Sequence, residues 1–197
     1  GLGDVYKRQH IAWIQWQHPN MPWDETELVI AKVDGSGAVI AFEHVAGGDN
    51  VAIFQPEFAA DGSLFYVSDA TGWWNIYRYD GESEACVYPV DAEFGLPHWV
   101  FGMRTYDFNG PTRLAATFQL DGISKLAEID IGGGSVRTIP VPHIDMSGLR
   151  VADGVAYYIG GSMRAPAAVA GVDLESGTVS VLRWSQESPS GRLTMRV

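Results

Sequence analysis

The chain has 197 residues, with 13 Lys or Arg against 24 Asp or Glu and a formal net charge of −11. No basic footprint is present to displace counterions from phosphate, which argues against a nucleic-acid partner. A single Cys86 rules out an intramolecular disulfide and a cysteine zinc cluster, and no run approaches the roughly 18 apolar residues that span a bilayer.

The stretch Gly1 to Gln9 shows no strand alternation and no apolar core of the signal-peptide kind. It reads as an artefact or a disordered lead-in, and residue 1 is Gly rather than Met. From His10 onward the apolar runs are short, β-branched or aromatic, and bounded by turn signals. Asp24 to Val33 is ambiguous: it carries fair helix formers, but Leu28, Ile30 and Val33 also suit a strand. Clearer strands follow at Leu64–Val67, Asn75–Tyr79, Arg113–Phe118 and Val155–Ile159. Between them stand Asp34-Gly35, Asp61-Gly62, Asp80-Gly81, Asp121-Gly122, Gly132-Gly133-Gly134, Asp153-Gly154 and Ser176-Gly177. Asp-Gly supplies the positive φ values that tight hairpins demand. Ser185 to Val197 has little pattern and reads as a linker or a truncated next blade, so the chain is expected to be part of a longer protein.

Aligning the turns gives a unit of about 45 residues, the spacing of a propeller blade. The units fall at about 10–45, 51–90, 97–141 and 144–184. Three of them close alike: Tyr79-Asp80-Gly81 before Ala85–Tyr88, Ile129-Asp130-Ile131-Gly132 before Val136–Ile139, and Val172-Asp173 with Ser176-Gly177 before Val179–Leu182. The expected fold is all-β: a β-propeller of four-stranded antiparallel blades, about four of them, forming an incomplete ring. A β-sandwich also has short strands and regular turns, but not this period.

Gln55-Pro56-Glu57-Phe58-Ala59-Ala60-Asp61-Gly62 through Ser68-Asp69, then Gly72-Trp73-Trp74-Asn75-Ile76-Tyr77, resembles the repeat of TolB-type propellers. Two further stretches are more specific. His18-Pro19-Asn20-Met21-Pro22-Trp23-Asp24-x-Thr26-Glu27-Leu28 and Glu93-Phe94-Gly95-x-Pro97-x-Trp99-Val100-Phe101-Gly102 resemble the prolyl oligopeptidase family of serine peptidases, in its dipeptidyl-aminopeptidase and acylaminoacyl-peptidase-like branch. The resemblance covers about residues 10 to 184. It implies a non-catalytic cap that gates short peptides on their way to a C-terminal α/β-hydrolase domain of the same polypeptide, which holds the Ser-Asp-His triad. A cytoplasmic, bacterial protein is the matching expectation, since one cysteine permits that compartment. The alternative is a stand-alone TolB-like propeller acting as a binding scaffold.

No catalytic residue is expected in the chain itself. A nucleophile elbow needs Gly-x-Ser-x-Gly, and Gly133-Gly134-Ser135-Val136-Arg137 and Gly160-Gly161-Ser162-Met163-Arg164 both end in Arg. No strand–helix alternation is present to build a hydrolase sheet. His18 with Asp24, and His98 with Glu93, lack the spacing of a metal site, so neither metal nor cofactor is expected. Gly132–Gly134 has no following helix to cradle phosphate and reads as a turn. The substrate-facing candidates are Asp91 and Glu93, whose carboxylates suit a peptide amino terminus, and Arg104, which suits a carbonyl or carboxylate or else pairs with Asp107. Trp73 and Trp74 complete the set as a stacking surface, against a packing role between blades. Cys86 reads as a small buried hydrophobe.

Overall fold

The computed structural model describes residues 10–186. The lead-in at 1–9 and nearly all of 185–197 lie outside the described residues. Fifteen strands and no helix are present among the described residues. They form four antiparallel sheets, none closed into a barrel, which is the all-β blade architecture expected from the repeat. The chain divides into two compact units, one reaching to Val90 with the addition of Gly95–Phe101, the other taking Asp91–Phe94 and everything from Gly102.

The first unit holds a sheet of β1 (His10–Gln15), β2 (Glu27–Val33) and β3 (Val39–Gly47), and a four-stranded meander of β4 (Ile53–Phe58), β5 (Leu64–Ser68), β6 (Asn75–Tyr79) and β7 (Glu84–Cys86). From Glu27 onward the ambiguous stretch is therefore a strand. Its helix formers are overridden because Leu28, Val29, Ala31 and Val33 are all buried, and tertiary burial outweighs a weak intrinsic preference. Register sets Ile14 beside Leu28 and Ala12 beside Ile30. That face packs with Ile53, Leu64, Tyr66 and Tyr77 of the meander to make the unit's core. Each fully buried side chain of this size contributes about 1.5–3 kcal/mol. Thr26, fully buried, stitches the two sheets. Its hydroxyl accepts from the Ile53 N–H at 2.5 Å and donates to the Ile53 carbonyl at 3.4 Å.

The second unit repeats the plan twice. One meander is β8 (Tyr106–Phe108), β9 (Arg113–Leu120), β10 (Ile123–Asp130) and β11 (Val136–Ile139). The other is β12 (Asp145–Ala152), β13 (Val155–Gly161), β14 (Ala168–Asp173) and β15 (Val179–Trp184). Ala115, Leu126 and Ile139 of the first pack on Met146, Ala156, Tyr158, Ala170 and Val172 of the second. Face-to-face packing of meanders is how propeller blades bury their apolar sides.

The turns work by two mechanisms rather than one. At Asp121-Gly122 and Asp153-Gly154 both residues take positive φ, 52° and 74° in one case and 50° and 75° in the other, as a type I′ hairpin requires. At the connection into the last strand of every sheet, an aspartate instead acts through its side chain. Asp34 Oδ1 accepts from the Ser36 and Ala38 N–H groups, and Asp80 Oδ1 from those of Glu82 and Ser83. Asp130 Oδ1 accepts from Gly132 and Gly133, and Asp173 Oδ1 from Glu175 and Ser176. These are Asx turns. Their recurrence aligns β1, β2 and β3 with the second, third and fourth strands of the other sheets. The first sheet thus shows three of the four expected strands among the described residues.

Candidate functional site

The sequence candidates fall in both units. In the first, Trp73 and Trp74 stand on the turn leading into β6. Trp73 is partly exposed (39 %), and its carbonyl accepts from the Asn75 side-chain amide at 3.2 Å. Trp74 is half-buried. Its indole lies against Gly95, and its edge meets the His98 ring at 6.0 Å between centroids. The two indoles therefore differ in setting, one packed beneath a loop and the other open to solvent.

His98 anchors that loop. Its ring stacks on Phe54 at 5.0 Å, and Nδ1 lies 3.1 Å from the Pro22 carbonyl oxygen. The neighbouring Trp99 packs on Trp23 at 4.4 Å. The parts of the two family-like motifs around Pro22-Trp23 and His98-Trp99 are thus in contact within one unit, which their separation in sequence does not announce. Beyond the anchor the loop turns outward: Trp99 is 71 % exposed and Phe101 fully so.

In the second unit, Asp91 is exposed. Glu93 is fixed through its backbone, exchanging hydrogen bonds with Gln119 at 3.1 and 2.9 Å. Arg104 Nη2 donates to Asp107 Oδ1 at 3.1 Å, with both side chains less than a fifth exposed. The other carboxylate oxygen of Asp107 accepts from the Val151 N–H at 2.8 Å, tying β12 to the preceding sheet. The Arg104–Asp107 pairing is therefore present, and it holds the guanidinium in a structural contact.

A charged cluster that the sequence reading missed lies in the same unit. Glu128 is a lone charge in the apolar run Leu126-Ala127-Glu128-Ile129, which was the available signal. Its side chain is only 7 % exposed and receives Arg137 at 2.9 Å and Arg113 at 3.4 Å. Asn109 donates to its other oxygen at 2.9 Å.

His143 is buried, with Nδ1 2.9 Å from the Tyr158 hydroxyl. Burial lowers the pKa of both His98 and His143, because a low-polarity surrounding disfavours imidazolium. Burial likewise pushes the Cys86 thiol up, away from the thiolate a nucleophile needs. Among the described residues no three His, Cys, Asp or Glu side chains converge as metal ligands. No helix there is long and apolar enough to cross a membrane.

The chain resembles the propeller portion of prolyl oligopeptidase-type peptidases in its fold as well as in its motifs. Solved structures bear out that resemblance. A Mycobacterium tuberculosis puromycin-hydrolysing peptidase matches 93 % of this chain at 34 % identity and a TM-score of 0.85. A puromycin hydrolase matches 93 % at 29 % identity with the same TM-score. The chain spans 28 % of the length of each. A prolyl endopeptidase, 19 % identical over 90 % of this chain and 25 % of its own, has a TM-score of 0.66 and shows the fold alone. No family model and no curated protein matches the chain.

Proposed function

We propose that this chain is the non-catalytic propeller cap of a serine peptidase, gating the access of short peptides to an α/β-hydrolase domain of the same polypeptide. The observation that carries the reading is the 34 % identity to a puromycin-hydrolysing peptidase over 93 % of this chain and 28 % of that one. Nothing in the chain offers a Gly-x-Ser-x-Gly elbow, so the chemistry is assigned to the remainder of such a protein. Asp91, Glu93 and Arg104 are the proposed polar contacts to the peptide, and Trp73 and Trp74 the proposed apolar ones. Asp91 and Trp73 are the accessible members of that set. Arg104 would have to leave Asp107 in part to take this role. A cytoplasmic location is consistent with a lone cysteine.

The test is the reading frame that surrounds this chain in its gene. A hydrolase domain with Gly-x-Ser-x-Gly followed by Asp and then His is the expected result. A frame that encodes propeller blades alone would overturn the reading and leave a binding scaffold.

A further inference from the structure

Within the second unit a cavity of about 520 Å³ opens between the two sheets, inside the size range of small-molecule sites. One wall carries Arg113 and Arg137, with Glu128 at its base. The other carries Asp153, Asp173 and Glu175 from the turns that end β12 and β14. The walls are oppositely charged, yet no ion pair joins them among the described residues. Only Arg137 reaches across, donating to the Leu174 carbonyl. Glu128 neutralises one of the two guanidiniums. It meets both through a single oxygen and gives its other oxygen to Asn109. Arg113 and Arg137 remain 55 % and 46 % exposed, with planar donor forks left over for a carboxylate. Opposite them, the Ser176 N–H and hydroxyl and the Glu175 N–H hold Asp173 below the usual carboxylate range, so that wall stays negative at neutral pH.

A simple anion would meet four carboxylates here, Glu128 included, and a simple cation two guanidiniums. A ligand carrying both charges satisfies both walls. We propose that this cavity binds a small zwitterion, a free α-amino acid, with its carboxylate on Arg113 and Arg137 and its ammonium toward Asp153, Asp173 and Glu175. The proposal goes beyond the peptidase reading and does not rest on it.

Calorimetric titration of the full polypeptide carrying this chain, at pH 7 and low salt, tests it with three probes. L-alanine has both charges, N-acetyl-L-alanine lacks the ammonium, and L-alaninamide lacks the carboxylate. Saturable binding of L-alanine is expected, with each analogue at least tenfold weaker. Arg113→Gln on one wall, and Asp153→Asn with Glu175→Gln on the other, should each weaken L-alanine by a similar factor. The double variant lies on exposed turns and keeps the test open if Arg113→Gln impairs folding. Absence of saturable binding overturns the proposal. So does N-acetylalanine binding as well as alanine (an anion site), alaninamide binding as well (a cation site), or alanine affinity unchanged in both variants (a site elsewhere).

Discussion

Gly95 lies so close to the indole of Trp74 that a β-carbon at position 95 would fall on ring atoms Cδ2 and Cε3. The backbone at 95 is not in the left-handed region, so the demand for glycine is steric alone. Trp74 cannot retreat easily, because its edge rests on His98, itself stacked on Phe54. Gly95→Ala should therefore destabilise by about 1–3 kcal/mol, the usual cost of overpacking. Gly35→Ala, where a β-carbon meets nothing within 4 Å, should be close to neutral. Urea unfolding midpoints of the two variants make the comparison, and equal midpoints would remove the packing role assigned to Trp74.

Acid should weaken the fold in two stages. His98 and His143 are held by burial below their ordinary value of 6.5. As pH falls below 6.5 the unfolded chain takes up protons that the folded imidazoles refuse, so stability declines from there downward. Asp34, Asp61, Asp80 and Asp173 sit below their ordinary 3.8, chiefly through hydrogen bonds from their own turns. Their contribution is complete above 3.8 and is lost as pH drops through the lower folded values. Unfolding midpoints at pH 7.5, 5.5, 4.5 and 3 should show both declines, and His143→Gln should flatten the first. A midpoint that holds constant from pH 7.5 to 4.5 would contradict the buried-histidine assignment.

Glu128 is expected to matter for stability although it carries charge. Glu128→Ala strands Asn109 and removes the shared partner of two guanidiniums. Both arginines can turn to water, so a loss of about 1–3 kcal/mol is expected, short of what a fully buried orphan charge costs. The loss should change little with salt, because the carboxylate is shielded from the ionic atmosphere. A salt-sensitive loss under 0.5 kcal/mol would place Glu128 among ordinary surface pairs.

Blade repetition was legible in the sequence because turn chemistry is local. Asp80, Asp130 and Asp173 mark their turns whatever packs around them, and the short apolar run Val155–Ile159 announces a strand. The packing of Trp23 on Trp99 was not legible, since it joins two irregular loops that have no periodicity to read. The motif resemblance singled out both loops without saying that they touch. Arg104 shows the limit at single residues: its spacing from Asp107 suited an ion pair as well as a ligand contact, and the pair is what the structure contains. The cavity beside Arg113 and Arg137 was invisible for a related reason. It depends on two hairpin turns of one sheet facing two strands of another, a relation set by blade packing. The lone charge at Glu128 was the one hint.

If the chain is the propeller segment of a serine peptidase, the reactive serine lies elsewhere in that protein. Treating the full-length protein with a fluorophosphonate probe and mapping the labelled residue locates it. One labelled serine is expected, quenched by a competing peptide substrate and lying outside this chain of 197 residues. A label on a serine within this chain, or no label at all on an active preparation, would contradict that reading.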